Sequence, residues 1–215
     1  MRPVKILFLI SNAQLSGAEN QLLLLSNNMD KSKYDIEICC LESKGPFTKA
    51  AKKMKLTVHI IDRKTRFDFY RLFGLVKLIK KKKYNIVSSY TWSANQYARL
   101  AKLFVKFKLI SGERGRSLDK MNLENFIDKL LFPLSDMVIF NSKVQRDKFL
   151  SFTKVMPNNI KFIPNCINVD IFNNEGGNTL KKLIGLDNDV ILIGTVGNFS
   201  VPKNFDMFID LCLSL

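Results

Sequence analysis

The chain has 215 residues, of which 47% are hydrophobic and 25% charged, a composition typical of a globular protein. This length is long for one domain and short for two full α/β domains. No apolar run approaches the roughly 18 residues of a membrane-spanning helix, and the short N-terminal run lacks a signal-peptide cleavage site, so we expect a cytoplasmic protein. The formal net charge of +15 predicts an anionic partner, namely nucleic acid, a membrane surface or a phosphorylated substrate, although a lysine-rich proteome would account for part of it.

The four cysteines and the single histidine do not predict a metal site. Cys39, Cys40, Cys166 and Cys212 include no C-x-x-C pair, and only His59 could add a nitrogen ligand. Buried reduced thiols and a strand-face histidine are the simpler interpretation. A catalytic triad would depend on that one histidine alone.

Residues 4–19, VKILFLISNAQLSGAE, predict a buried strand, a loop and a helix that begins at a glycine. The apolar run is typical of a strand buried on both faces of a parallel sheet. Ser16 and Glu19 have the spacing of a capping box, in which the Ser16 hydroxyl accepts from the Glu19 N–H. Gly17 leaves room for an anion at the positive end of the helix, or else serves only for tight packing. The loop is not G-x-G-x-x-G, which argues against ordinary NAD or FAD binding.

Strand and helix patterns then alternate along the chain. Further strands are predicted at 35–41, 57–62, 85–90, 108–111 and 136–141, and helices at 45–54, 68–83, 93–104, 123–131 and 142–152. Six βα repeats of this size predict an α/β fold with an open, doubly wound parallel sheet. Ligands of such sheets gather at the carboxyl ends of the strands, which places the candidate site at residues 12–17, 90–95, 112–116 and 141–142.

The pattern changes after residue 160. Residues 160–165 predict a short strand, and 173–178, NNEGGN, a polar glycine-rich linker. Residues 190–196, VILIGTV, predict a second buried strand, followed by a glycine, a loop and a helix from about Asn204. We therefore predict an amino-terminal domain at 1–160, an interdomain crossing and linker at 161–189, and the first strand–helix unit of a truncated second Rossmann-like domain at 190–215.

Four segments, in order, resemble the family-four glycosyltransferases, which have the two-domain GT-B fold. SGAE at 16–19 is similar to the G-G-A-E loop of that family, and VIFNS at 138–142 to its strand that ends in a small polar residue before a helix. IPNCIN at 163–168, with Asp170 and Phe172, resembles the I-P-N-G-V-D…F interdomain segment. VGNF at 196–199, with Lys203 and Asn204, resembles the V-G-R-L…K-G segment that opens the nucleotide-binding domain.

The chain departs from the family pattern at four positions, three of them in these segments. Ser16 and Cys166 stand where glycines are usual, and Tyr90 stands near the place of a frequent histidine. Asn198 replaces an arginine that usually contacts the donor diphosphate, while Lys203 keeps the usual lysine position. The paired-glutamate motif of the family would lie beyond residue 215.

The resemblance implies transfer of a sugar from a nucleotide diphosphate sugar with retention of configuration. The leaving diphosphate needs cations and oriented N–H dipoles, so neither a metal nor another cofactor is implied. The implied donor-diphosphate contacts are Gly17, Gly197, Asn198 and Lys203. Asn198 can only donate hydrogen bonds there, which stabilises charge less than an arginine would.

In this fold the first domain mainly reads the acceptor. The candidate acceptor contacts, all of which follow the fourth and fifth predicted strands, are Tyr90, Trp92, Asn95, Glu113, Arg114 and Arg116. Arginines suit a phosphate or an acidic sugar, and aromatic and amide groups suit sugar rings and hydroxyls. The alternatives are a solvated loop for the arginines and simple packing for the tryptophan. No catalytic base is identified.

The basic helices give two further hypotheses. Lys77, the lysines at 80–83, and Lys102, Lys106 and Lys108 could face anionic lipid, which would suit a lipid-linked acceptor, or could form a solvated face. The leading function is a glycosyltransferase, or part of one, in cell-surface polysaccharide or glycolipid synthesis. The alternative is a non-catalytic remnant that binds an acceptor or a membrane. A nucleic-acid partner is not expected, because no such motif is present.

Overall fold

The computed structural model describes residues 2–62, 68–114, 123–153, 159–169, 179–187, 189–197, 199 and 201–214. The chain divides into two compact units, Met1–Ile167 and Asn168–Leu215. Arg116, Asn198, Asp170, Phe172 and the linker at 173–178 lie outside the described residues.

The described part of the first unit is a parallel sheet with helices on both faces. Its strands are β1 Val4–Ile10, β2 Tyr34–Cys40, β3 Thr57–Ile60, β4 Ile86–Tyr90, β5 Lys108–Glu113, β6 Met137–Phe140 and β7 Ile160–Phe162, in the spatial order β3-β2-β1-β4-β5-β6-β7. Its helices are α1 Gly17–Asn28, α2 Pro46–Lys53, α3 Phe69–Lys82, α4 Trp92–Ala101, α5 Leu123–Leu131 and α6 Lys143–Thr153. The predicted doubly wound α/β fold is confirmed.

The apolar run of β1 forms the centre of the core because both faces of the strand are covered. Leu7 and Leu9 have no exposed surface and pack towards α3 and α4. Phe8 and Ile10 pack on the other face with residues of α1 and α2. A central parallel strand needs apolar residues on both faces, and this continuous apolar run is why β1 could be predicted from the sequence.

The strand order reverses between β1 and β4, and this switch point has an unusual backbone. The hydroxyl oxygens of Ser11 and Thr91, which follow the two strands, lie 2.6 Å apart in a hydrogen bond. Thr91 has φ +79° and ψ 152°, a region that β-branched residues rarely adopt. Ligands of open α/β sheets bind outside the strand ends at such a point.

The predicted N-terminus of α1 is confirmed, but the predicted capping box is wrong. Ser16 is the N-cap residue, and its hydroxyl makes no hydrogen bond to the backbone. It donates instead to the Glu19 carboxylate. Glu19 is almost fully buried, so its carboxylate needs a donor more than the first-turn N–H groups need an acceptor.

Two predicted boundaries shift at the candidate site. β5 continues through Glu113, which the sequence placed in a loop, because Gly112 and Glu113 pair with Ile139 and Phe140 of β6. α4 ends at Ala101 instead of near 104, where the chain continues in tight turns. The strand predicted at 160–165 ends at Phe162, and the other predicted elements of this unit agree with the structure to within about two residues. Within the described ranges, each helix falls short of the length and apolar content that a bilayer span requires.

The second unit contains α7 Thr179–Leu183, a 3₁₀ turn Val201–Lys203 and α8 Phe205–Ser214. The helix predicted from about Asn204 is confirmed as α8, while α7 was not predicted. The segment 190–196 forms no strand, and Val196 is fully exposed, so the predicted buried strand is wrong for this structure. A strand needs a neighbouring strand to hydrogen-bond with, and the described part of this unit contains no strand.

Gly45 and Gly17 make a matched pair for a stability test. A Cβ on Gly45 would lie 2.5 Å from the backbone oxygen of Ala13, whereas a Cβ on Gly17 would meet no atom within 4 Å. We expect Gly45→Ala to lower the free energy of unfolding by about 1–3 kcal/mol, because the backbone must shift. Gly17→Ala should change it by at most about 0.5 kcal/mol. Urea unfolding measures both, and equal effects would contradict this assignment.

Candidate functional site

Arg114 lies at the carboxyl edge of the sheet, directly after β5, and is held from two sides. Its guanidinium carbon lies 5.1 Å from the centroid of the Tyr90 ring. Its Nη1 donates to Asn165 Oδ1 at 2.7 Å, and Asn141 Nδ2 donates to the same oxygen at 3.4 Å. Burial lowers the pKa of Arg114 below its ordinary value, although an arginine stays protonated at neutral pH. The site therefore contains an oriented, partly desolvated cation.

The segment that follows β7 is attached to α1 through a side-chain amide. Gln21 Nε2 donates to the backbone oxygen of Cys166 at 2.6 Å, and Gln21 Oε1 accepts from the Cys166 N–H at 2.9 Å. Gln21 is one turn beyond Gly17 on α1. Asn165, beside Cys166, holds Arg114, so one chain of contacts links the start of α1 to the arginine. Sequence reasoning missed Gln21, because its partner is 145 residues away.

A buried charge network lies behind the site and centres on Arg99. The side chain of Arg99 has no exposed surface, and its Nη2 and Nη1 donate to Glu113 Oε1 at 2.8 Å and Asp128 Oδ1 at 3.0 Å. Its guanidinium carbon also lies 5.1 Å from the centroid of the Phe132 ring. One cation thus joins α4, the end of β5 and α5. This role could not be recognised along the chain alone, because an arginine in a helix is usually solvated.

Asn95 and Glu113, two of the predicted acceptor contacts, belong to this network. Asn95 is fully buried, and its Nδ2 donates to Glu113 Oε1 at 3.0 Å and to the Gly112 carbonyl at 3.1 Å. Ser89 Oγ donates to Asn95 Oδ1 at 2.7 Å. This burial favours a supporting role for Asn95 over direct contact with an acceptor. Glu113 lies closer to the edge, and its acceptor contact stays a prediction.

The two aromatic candidates differ in exposure. Tyr90 is buried, its ring meets the Phe8 ring edge-on at 5.9 Å between centroids, and burial raises its pKa. Trp92 is half-buried at the start of α4, and its Nε1 donates to Asp128 Oδ2 at 3.0 Å. Tyr90 thus supports Arg114 from below, while Trp92 keeps an accessible ring surface.

In the second unit, the structure brings Gly197 and Lys203 together. A Cβ on Gly197 would lie 3.6 Å from Lys203 Cγ and 3.6 Å from Phe205 Cζ. Asn204 has φ +49°, the left-handed conformation that glycine and asparagine accept most readily. The K-G segment of the family has a glycine at the position of Asn204. Asparagine is the other residue that readily adopts this left-handed conformation.

His59 and the cysteines have no place in this edge site. His59 contacts the Glu37 carboxylate across β2 and β3, as expected of a strand-face histidine. Cys39 and Cys40 are buried and burial raises the pKa of both thiols, but Cys166 and Cys212 are exposed, which corrects the expectation of four buried thiols. Among the described residues, no group of three or more such side chains could hold a metal ion.

Comparison with known proteins identifies the family. The family model described as Glycosyltransferase Family 4 matches residues 15–171, which is more than half of the chain. The chain belongs to glycosyltransferase family 4. The matched range contains the start of α1, the Arg114 contacts and the Arg99 network, so the family-4 match and the candidate edge site coincide.

Similar proteins cover the same part of the fold. A Campylobacter jejuni alpha-1,4-N-acetyl-D-galactosaminyltransferase is 24% identical over 169 residues, which are 74% of this chain and 47% of the relative. HepE from Anabaena in complex with UDP has a TM-score of 0.71 and 16% identity, over 85% of this chain and 50% of that structure. A glycosyltransferase from Rickettsia africae has a TM-score of 0.72 and 15% identity, over 88% of this chain and 52% of that structure. The family-4 chain thus spans about half the length of these relatives.

Proposed function

We propose that this family-4 protein transfers a sugar from a nucleotide diphosphate sugar to a saccharide or lipid-linked acceptor. The pathway would be the synthesis of a cell-surface polysaccharide or glycolipid, and the location cytoplasmic, at the inner face of the membrane. The names of the relatives support this, since the Anabaena structure contains UDP and the Campylobacter enzyme is named for an acceptor that carries PP-undecaprenol. We therefore take UDP-sugars as the first donors to test.

The observation that carries the proposal is the oriented Arg114 cation at the switch-point edge. Arg114 is fixed by the Tyr90 ring and by Asn165, so it is preorganised for an anionic group. A diphosphate-linked or acidic acceptor has such a group. Trp92, two residues after Tyr90, offers an apolar ring face for a sugar or an aliphatic chain.

On the donor side, the proposed contacts supply positive charge to a leaving diphosphate. Gly17 leaves open space at the N-terminus of α1, where unpaired N–H groups point outward. Lys203 would add a point charge, and Gly197 would let the backbone approach. Asn198 completes this proposed set by hydrogen bonding. Charge developing on the diphosphate would be stabilised by these groups without a metal.

Calorimetry with UDP-glucose, UDP-N-acetylgalactosamine and GDP-mannose tests the donor site. We expect Lys203→Ala to weaken donor binding by about tenfold or more, because a charge-assisted contact is worth about 1.5–3 kcal/mol. The matched control is Lys182→Ala, an exposed lysine of the same unit, which should leave the Kd unchanged.

Either of two results would contradict the donor assignment. Equal binding by both variants would remove Lys203 from the site. If the unaltered chain binds no nucleotide sugar but still binds an acceptor or a membrane, the non-catalytic alternative would replace sugar transfer for this chain.

A further inference from the structure

The connection between β4 and α4 consists of one residue, Thr91. β4 ends at Tyr90, and α4 begins at Trp92. The chain therefore changes from strand to helix within a single residue, at the switch point between β1 and β4. A sharp, strained strand-to-helix turn exposes the side chain of the turning residue at the carboxyl edge of an α/β sheet. The Thr91 hydroxyl thus lies where ligands of open α/β sheets bind.

The backbone of Thr91 differs from that of Lys83, another residue with a positive φ. Lys83, which follows α3, has φ +55° and ψ 51°, the ordinary left-handed conformation of a helix end. Thr91 has φ +79° and ψ 152°, in a region that is essentially limited to glycine. A threonine is strained there because its Cβ is branched. Glycine would avoid this strain, so the threonine side chain itself is the feature to explain.

The contacts of Asn95 account for the short turn. Its Oδ1 accepts from Ser89 Oγ at 2.7 Å, and its Nδ2 donates to the Gly112 carbonyl at 3.1 Å. The first turn of α4 is thereby tied to β4, two residues before Thr91, and to β5. Ser89 and Asn95 are fully buried, so these hydrogen bonds exclude water. Because both sides are held, Thr91 alone absorbs the change of direction.

The Thr91 hydroxyl does not cap α4, although threonine is a common N-cap residue. It meets the Ser11 hydroxyl at 2.6 Å, directly beyond Ile10 and Tyr90, which are paired in the sheet. Two hydroxyls contain two hydrogens, of which one forms the bond within the pair, and the other hydrogen and the remaining lone pairs are left for another partner. A sugar hydroxyl, which both donates and accepts, complements such a pair, whereas an anion only accepts.

The neighbours of Thr91 favour binding over covalent catalysis. A hydroxyl nucleophile needs an adjacent base. Thr91 Oγ1 contacts the Ser11 hydroxyl instead, and the single histidine, His59, contacts Glu37 across β2 and β3. Ser11 and Thr91 are both half-buried, so each keeps some surface for a ligand.

We propose that Ser11 and Thr91 together bind one hydroxyl group of the acceptor sugar, and that Asn95 is the positioning residue that holds Thr91 in place for this contact. The inference rests on the proposed sugar transfer and names a specificity contact of the same site. It differs from the Arg114 contact, which suits an anionic group. The enforced turn keeps the hydroxyl pair oriented before a ligand arrives.

Two substitutions of Thr91 test the strain. Thr91→Ala and Thr91→Gly both remove the hydroxyl, so they differ from each other only by one methyl group and its effect on the backbone. We expect Thr91→Gly to unfold at a urea concentration about 0.3 M or more above that of Thr91→Ala, because glycine adopts this conformation without strain. At Ser93, in the first turn of α4, the order should reverse, since glycine is unfavourable in a helix. Equal midpoints for the two Thr91 variants would contradict the strain.

The positioning role of Asn95 is tested by repeating this comparison with its contacts weakened. Ser89→Ala removes the hydroxyl that donates to Asn95. In that background, we expect the advantage of Thr91→Gly over Thr91→Ala to fall by about half or more, because the turn is no longer held from both sides. Asn95→Ala should remove the advantage. A purely structural role of Asn95 would lower all midpoints equally and leave the advantage unchanged, which would overturn the positioning role.

NMR titration with methyl glycosides of galactose, glucose and N-acetylgalactosamine tests the ligand contact, with deoxy analogues of each glycoside that binds. We expect loss of one ligand hydroxyl to weaken binding to the unaltered chain about three- to tenfold, the effect of one neutral hydrogen bond. Thr91→Ala should bind the parent glycoside as weakly as that deoxy analogue and should not distinguish the two. Thr91→Ser keeps the hydroxyl, and Ser32→Ala removes an exposed hydroxyl before β2, so both should bind as the unaltered chain does.

Two results would overturn the hydroxyl contact. They are the failure of the unaltered chain to bind any of these glycosides, and a Thr91→Ala variant that distinguishes the parent from its deoxy analogues as the unaltered chain does. UDP-sugar calorimetry on the same samples keeps the two proposals apart. Donor binding together with either result would overturn only the hydroxyl contact. Glycoside binding that depends on Thr91, without donor binding, would support the contact and count against sugar transfer by this chain.

Discussion

Replacing Arg99 with methionine should lower the free energy of unfolding of the first unit by about 3–5 kcal/mol. The Arg99 guanidinium contacts both Glu113 and Asp128, and all three side chains are buried. Methionine fills a similar volume but removes the hydrogen bonds that Arg99 donates to the two carboxylates. Removing one member of a buried charge network costs more than the network contributes, because the partners stay desolvated.

Urea unfolding followed by Trp92 fluorescence measures this effect, because Trp92 Nε1 donates to Asp128 and reports the network directly. The control is Arg146→Met, which removes an arginine whose partner Asp147 is largely exposed. That surface pair should contribute less than about 1 kcal/mol. Similar destabilisation by the two variants would contradict a special role of Arg99.

The Glu37→Gln variant should lose stability at neutral pH but not in strong acid. Burial raises the pKa of Glu37, but hydrogen bonds from His59, Tyr84 and Lys82 outweigh it and lower the pKa from 4.5 to about 2. Lys82 Nζ and Tyr84 Oη donate to the carboxylate at 3.0 Å and 2.6 Å. Because the folded state holds this proton less tightly than the unfolded state, the ionised carboxylate stabilises the fold.

This stabilisation is complete above about pH 4.5 and is lost as the pH falls towards 2. We expect Glu37→Gln to cost about 1–3 kcal/mol at pH 7, and the difference from the unaltered protein to shrink steadily below pH 4.5. Urea unfolding at pH 7, 5, 4 and 3 measures it. Asp147→Asn, at an exposed carboxylate of the same unit, should show no such pH dependence, and a constant difference for Glu37→Gln would refute the assignment.

The fold could be read from the sequence because its strongest signals are local. The apolar run of β1, the helical stripe of α3 and the serine before Gly17 each report on residues within a few positions. Their order gave the parallel sheet and the edge where ligands gather. The same local pattern failed at 190–196, where an apolar run predicts a strand but only a paired neighbour can make one.

The site was only partly predictable, because its contacts join distant residues. Arg114 could be placed at the sheet edge from its position after a strand. Its fixation by Asn165, the attachment of Cys166 to Gln21 and the burial of Asn95 depend on partners that lie far away in the sequence.

The sequence by itself thus predicted the doubly wound parallel sheet with its flanking helices, and the family of this protein. The spacing of apolar residues and the short motifs depend only on residues that are close together along the chain. These neighbours are the same before and after folding. Only the tertiary structure decided that Arg99 is a buried counter-charge and that Asn95 is fully buried against Glu113. Crossover connections bring these residues together, so which side chains meet is known only once the sheet has formed.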